Sequence, residues 1–271
     1  MSETPRPKVD QPAEVGEYDA GMQTMLQLVW GEGFLSPGGP AEVARILEGH
    51  DIGGCRVLDV GSGLGGVDLV LARDHRAAHV TGIDLEPELV AQAQARAGAA
   101  GMSRRVSYRS VTPGPFPFAD GSFEVVFSKD SLVQIPEKPQ IFAEMRRVLV
   151  PGGRFIAGDW LRGGSGAYSA AMLEYFRLEG ITYNLASAAE MTTALEASGF
   201  QQVRVRDCNA WYAALAREEL ARMECDWFPL MCERLGEVRA RHFVANWRQL
   251  VLVLGTGELR PAHVSAVKPS G

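Results

Sequence analysis

Residues 57–66 read VLDVGSGLGG. Four residues that suit a buried strand run straight into a glycine-rich turn, with an aspartate, Asp59, just before it. Outward from this stretch, strand and helix patterns alternate. Strands are expected over 56–60, 79–84, 106–109, 123–128, 154–158, 202–206 and 263–268. Helices are expected over 18–30, from Pro40 onward, and over 65–73, 86–99, 136–149 and 188–198. Ile141, Phe142, Met145, Val148 and Leu149 fall on one helical face, and Pro151-Gly152-Gly153 reads as a turn. The alternation predicts an α/β fold, a doubly wound, mostly parallel sheet of seven strands with right-handed crossovers. Residues 210–254 break the rhythm with an apolar stripe at helical spacing, read as two helices capping the sheet before the last strand. The expected organisation is a flexible polar lead at 1–17, then one domain over 18–271, with latch helices at 18–50 and the cap insert at 210–254.

The chain has 271 residues, 46% hydrophobic and 22% charged, enough for one sizeable core. A net charge of −6 without a Lys/Arg cluster argues against nucleic-acid and anionic-membrane partners. The longest apolar run, 250–254, is far too short to span a bilayer. The polar N-terminus lacks the apolar centre of a signal peptide. Cys55, Cys208, Cys225 and Cys232 form no CxxC pair and have no histidine at ligand spacing, so a reduced, cytoplasmic protein without a structural metal is expected.

In an open α/β sheet, ligands bind at the carboxyl ends of the strands. Gly61, Gly63 and Gly66 match GxGxxG, a pattern used for two kinds of cofactor. A dinucleotide would set its diphosphate at the start of the next helix, facing Asp59. Like charges at 4 Å repel by about 1 kcal/mol in water, and more when partly desolvated. S-adenosylmethionine carries an ammonium and a sulfonium and no phosphate, so Asp59 attracts it. Asp84 ends the next strand, where a carboxylate can accept both ribose hydroxyls of either cofactor. Asp59 is therefore the discriminating residue.

VLDVGSGLGG, GIDLEPELV, PFADGSFEVVFS and AEMRRVLVPGGRF, in this order, resemble the class I S-adenosylmethionine-dependent methyltransferases. A narrower resemblance joins YDAGMQTMLQLVWGEGFLSPGG (18–39), SKDSLVQI and the AGDW strand end to the phosphoethanolamine N-methyltransferases. That resemblance implies S-adenosylmethionine as the cofactor. It places Leu35 and Ser36 over the cofactor from the latch side. Asp59, Gly61 and Gly63 would hold its methionine end, Asp84 and Leu85 its ribose, and Val111 or Thr112 its adenine, with Ser128 beside them. The catalytic candidates are Tyr18, Asp130 and Gln134. Gln134 stands where that family has a histidine, and an amide cannot take a proton near neutral pH. A plain alternative for Tyr18 is an anchoring aromatic on a mobile arm.

The phosphate pocket of that family is altered here. Lys129 and Tyr175 remain, Trp160 replaces a tyrosine, and Glu179 and Ile181 replace an arginine and a tyrosine. Glu179 would repel a phosphate. Trp30, Trp160, Tyr168, Tyr175 and Trp211 lie in segments that can border an aromatic replacement pocket, although each is also a natural core residue. The expectation is methyl transfer to the nitrogen of a small-molecule amine or nitrogen heterocycle, in secondary metabolism, with phosphoethanolamine excluded. Four alternatives stay open: an O- or C-methyltransferase of small aromatic compounds, an NAD-linked oxidoreductase, a non-catalytic cofactor-binding subunit, and, disfavoured by charge, a protein or RNA methyltransferase. Oligomeric state is not legible, and His242 is a packing residue or a distant pocket candidate.

Overall fold

Leu58 and Val126 point into one core, while Val57, Val125 and Phe127 point into another. This two-residue alternation is that of a sheet covered on both faces. The computed structural model describes residues 20–180 and 183–270. Seven strands form the sheet: β1 (Arg56–Val60), β2 (His79–Asp84), β3 (Val106–Ser110), β4 (Phe123–Lys129), β5 (Leu149–Arg162), β6 (Gln201–Asp207) and β7 (Leu259–Val267). Their order is β3-β2-β1-β4-β5-β7-β6. All pairings are parallel except those of β7, which runs antiparallel to β5 and β6. Strand order reverses between β1 and β4, so the crevice for a ligand opens above their carboxyl ends, at Gly61 and Asp130.

One face carries α2 (Gly39–Ile46), α3 (Gly66–Arg73) and α4 (Pro87–Ala99). The other carries α5 (Lys138–Val148) and α7 (Ala188–Ala197). A third core lies at the carboxyl end of the sheet. It joins α1 (Ala20–Trp30), α6 (Ala170–Glu179), α8 (Asn209–Glu224), α9 (Phe228–Leu235) and α10 (Glu237–Thr256) to Trp160 of β5 and Leu259 of β7.

The expected strands and the helices of the two sheet faces are present, with ends shifted by a few residues. Three expectations change. The cap has three helices rather than two, because Gly236 takes φ 81° between α9 and α10, and Pro229 restarts the chain after the break at Cys225. Helix α6 was not anticipated. Its start is marked by Ser169, whose Oγ accepts from the Met172 N–H. Strand β5 continues across Pro151-Gly152-Gly153, with a register shift against β4, and β7 starts at Leu259 and pairs along β5 to Arg162. The lead at 1–17, Tyr18 and Ile181 lie outside the described residues.

Candidate functional site

The glycine turn is held from below and behind. The N–H groups of Gly61 and Ser62 donate to Ile83 O at 2.9 and 3.1 Å, which ties the turn to the end of β2. Gly61 has φ 82°, and a Cβ there would collide with Ser131. Gly63, at φ 51°, lies beneath Leu35 of the loop after α1. Asp84 Oδ2 accepts from Gly63 N–H at 2.8 Å, and Oδ1 accepts from Glu86 N–H at 3.0 Å. Each oxygen keeps a second lone pair for another donor. Leu85 is 54% exposed beside it, an apolar platform at the strand end.

Asp59 does not face this crevice as an open carboxylate. It is 1% exposed, beneath the turn and against Asp68 of α3. Burial pushes its carboxyl up to about 7, opposed by a hydrogen bond from Asp68 and aided by the charge of Asp84. Asp68 is raised well above the usual carboxylate range, by burial first and then by Asp59. Neither Asp68 oxygen has a donor, and Asp59 Oδ1 also lacks one. Burial and the neighbouring carboxyl both favour the protonated form of Asp68.

Across the switch point, Asp130 takes φ 57°, a left-handed conformation that aspartate tolerates better than most residues. Its N–H is anchored on Gly158 O at 2.8 Å. Lys129 Nζ donates to Asp130 Oδ2 at 2.6 Å and to Ser36 Oγ at 2.5 Å. Both side chains of this ion pair are enclosed, so the lysine charge is spent on Asp130 and on the loop after α1. Ser128 is also enclosed. Its hydroxyl and that of Ser131 both reach Val60 O, at 2.8 and 2.7 Å, and join the ends of β1 and β4.

Above Asp130 lies a cleft of about 720 Å³, open space included. Trp30, Leu35, Ser36, Asp130, Gln134 and Trp160 form its sheet side and latch side; Tyr175, Glu179, Tyr183, Phe243, Asn246 and Trp247 come from α6, α10 and the segment between α6 and α7. Trp30 and Trp247 stand 5.7 Å apart, tilted by 35°. Both indole N–H groups donate to Glu219 of α8, at 2.8 and 3.1 Å. Burial raises the Glu219 carboxyl to about 7 against the pull of these two donors. Asp159, buried behind Asp130, is raised to about 8, by burial first and then by the Asp130 charge. It accepts from Val133 N–H at 3.2 Å and so fixes the 3-10 turn Leu132–Gln134.

Comparison with known proteins gives a consistent answer. Residues 58–157 match the methyltransferase domain family. Phosphoethanolamine N-methyltransferase 1 of Arabidopsis thaliana is 32% identical over 77% of this chain. The solved Haemonchus contortus phosphoethanolamine N-methyltransferase 2, in complex with phosphomonomethylethanolamine and S-adenosylhomocysteine, superposes with a TM-score of 0.85 at 25% identity. That match covers 94% of this chain and 58% of the neighbour. This chain carries a class I S-adenosylmethionine-dependent methyltransferase domain, close to the phosphoethanolamine N-methyltransferases. It spans 41% of the length of the Arabidopsis relative. The [4+2]-cyclase SpnF shares the fold, with a TM-score of 0.67 at 26% identity over 86% of this chain and 82% of that one.

The residues of this methyltransferase domain fit S-adenosylmethionine, the cofactor of its family. The side-chain-free cradle at Gly61 and Gly63, the spare lone pairs of Asp84 and the exposed Leu85 form a surface that fits an amino-acid tail and a ribose, with the donorless Asp59 Oδ1 and Ser62 Oγ enclosed beneath it. Val111 and Thr112 follow β3, with the Val111 N–H held by Asp84 O at 2.9 Å.

Several expected residues take other roles. Ser128 and Asp59 build the floor of the crevice. Lys129 does not line the cleft, Trp211 packs on Tyr212 and under Arg45, and Tyr168 packs on Phe176. His242 pairs with Leu178 O at 2.9 Å and fastens α10 to α6. Phe243 and Trp247 of the α10 stripe are core residues that also wall the cleft. Asn246, Tyr183 and Glu219 were missed. A lone asparagine within an apolar helical face was the available signal for Asn246.

Proposed function

We propose that this methyltransferase transfers the methyl group of S-adenosylmethionine to the nitrogen of a small-molecule amine or nitrogen heterocycle, and that phosphoethanolamine is not its acceptor. The observation that carries this is the charge of the cleft. Among the described residues lining it are two carboxylates, Asp130 and Glu179, and no lysine, arginine or histidine. Lys129, the nearby cation, is bound to Asp130 and Ser36. A phosphate would enter against two negative groups and find no cationic partner, whereas an amine brings the N–H donors that carboxylates need.

The cofactor supplies an electrophilic methyl on a sulfonium. The chain supplies position, dryness and charge. Asp130, held rigid by Lys129 and by its own backbone anchor, orients an amine and accepts its hydrogen bond. Gln134 orients without taking a proton. Asp159, behind Asp130, is raised to about 8, by burial first and then by the Asp130 charge. The aromatic walls exclude water. Tyr18, a further proton acceptor by resemblance, is part of this proposal from sequence only.

The test is turnover with methyl-labelled S-adenosylmethionine against two acceptor panels, amines with nitrogen heterocycles and alcohols with phenols. Label on nitrogen, with none on phosphoethanolamine, is the expected result. Transfer only to oxygen or carbon rejects the nitrogen assignment, and phosphoethanolamine turnover rejects its exclusion.

A further inference from the structure

Asn246 of α10 is 6% exposed and lines the cleft. Its side-chain nitrogen donates to Glu179 Oε2. A carboxylate accepts only, so the amide orientation is fixed: Nδ2 faces Glu179 and Oδ1 faces away. That Oδ1 is a buried acceptor with no donor. An enclosed acceptor without a partner costs free energy, which a donor reaching it would recover.

Two further features at the same wall share this polarity. Glu179 places a carboxylate on the cap side of the cleft, on a different element from Asp130 at the sheet end. Beside it, Trp30 and Trp247 line the cleft while both N–H groups donate to the buried Glu219. Donation to a carboxylate polarises an indole and enriches its face in electron density, which strengthens its attraction for a cation. A carboxylate, two enriched indoles and a donorless amide oxygen all suit one kind of group, a positively charged nitrogen that bears hydrogen.

We infer that the cleft selects acceptors with two nitrogens. One is uncharged and receives the methyl beside Asp130. The other is a protonated ammonium seated at the cap wall by Glu179, Asn246, Trp30 and Trp247. Glu179 is then the specificity-determining residue, with the opposite charge to a phosphate-binding residue. The inference rests on the N-methyltransferase reading of the same cleft and adds the chemistry of the acceptor's far end.

The test separates the two claims because it moves no methyl group. Protein saturated with S-adenosylhomocysteine is titrated calorimetrically with 2-(dimethylamino)ethanol, protonated at neutral pH, and with its uncharged carbon counterpart 3-methyl-1-butanol. The ammonium compound is expected to bind about tenfold tighter or better. Glu179→Gln, checked by unchanged S-adenosylhomocysteine affinity, is expected to remove most of that preference and leave the alcohol unaffected. If that variant does not fold, the wild-type comparison alone decides. Equal binding of the two probes overturns the inference, and so does a preference that survives Glu179→Gln, which would seat the cation at Asp130 instead. Nitrogen methylation without an ammonium preference removes this inference and leaves the proposed function standing. Transfer confined to oxygen or carbon removes the methylated nitrogen from both readings, and the titration then decides the ammonium seat alone.

Discussion

Asp130 holds three constraints at once: a left-handed backbone, an enclosed ion pair with Lys129, and a place on the cleft wall. Strain kept at such a point is sustained by surroundings that fix it, here the Gly158 carbonyl and the lysine. Asp130→Asn keeps the shape, removes the charge and strands an enclosed ammonium. The expected result is a fall in kcat/KM on the order of 10²-fold and a loss of about 3 kcal/mol in denaturant unfolding, the cost of breaking a buried pair on one side. Unaltered turnover would remove Asp130 from the mechanism. Asp59 shows where residue-level reading stopped. The sequence displays an aspartate before a glycine turn, but not that Asp68, nine positions on, folds back against it. The carboxylate was legible in sequence, and its burial against a second carboxyl was not. An ammonium arriving at the turn favours ionised Asp59, whose carboxyl sits near 7 in the free protein. Below that pH, binding must displace a proton. S-adenosylhomocysteine affinity is thus expected to rise from pH 6 to pH 8, with proton release in the acid half, measured by calorimetry in buffers of different ionisation heat; a flat profile would contradict the coupling.

At the scale of elements, the loop after α1 is clasped to the cofactor turn. Gly66 N–H donates to Gly33 O at 3.1 Å, and Gly33 N–H donates to Gln27 Oε1 at 2.9 Å. Arg96 of α4 donates to the same Gln27 oxygen and to Leu64 O, at 2.9 and 2.5 Å. Gly33 has φ 83°, and a Cβ there would stand 2.8 Å from Gly66 Cα, a backbone atom that cannot step aside cheaply. Gly33→Ala is expected to weaken S-adenosylhomocysteine binding about tenfold and to speed proteolysis around residues 20–35, through strain and displacement of the loop. Intact binding would show that the clasp plays no part in holding cofactor. Glu219→Gln leaves an amide to face two indole N–H donors; a destabilisation of about 1–3 kcal/mol in denaturant unfolding is expected. The sheet elements were legible because their periodicity is local. The cap was legible as helical but not in its division. Gly236 and Pro229 were visible, yet a glycine breaks a helix only when tertiary packing fixes its positive φ. The pocket role of α10 was hidden for a related reason, since one apolar stripe serves both core and cleft.

At the scale of the molecule, the strand order puts the groups proposed for cofactor and acceptor at one sheet end, under one cap. The price is a set of buried carboxyls with raised pKa: Asp59 and Glu219 at about 7 and Asp159 at about 8. In the unfolded chain these groups ionise near 4. Between the two values the native state binds more protons than the unfolded state, so their contribution to stability is present at low pH and lost as pH rises. The melting temperature of the ligand-free protein is expected to decline from about pH 5 to pH 8.5 on this account. Double replacement Asp159→Asn and Glu219→Gln should flatten that decline, and an unchanged slope would assign it to other groups. Overall topology was readable from four short blocks, while the acceptor chemistry lay in contacts between residues as distant as Trp30 and Glu219. The most direct single measurement is a crystal structure with S-adenosylhomocysteine bound. Its sulfur is expected above Gly61 and Gly63, pointing into the cleft toward Asp130 and Gln134, with Asn246 and Glu179 on the far wall. A sulfur turned away from Asp130, toward solvent or a different cavity, would contradict the assignment of this cleft as the acceptor site.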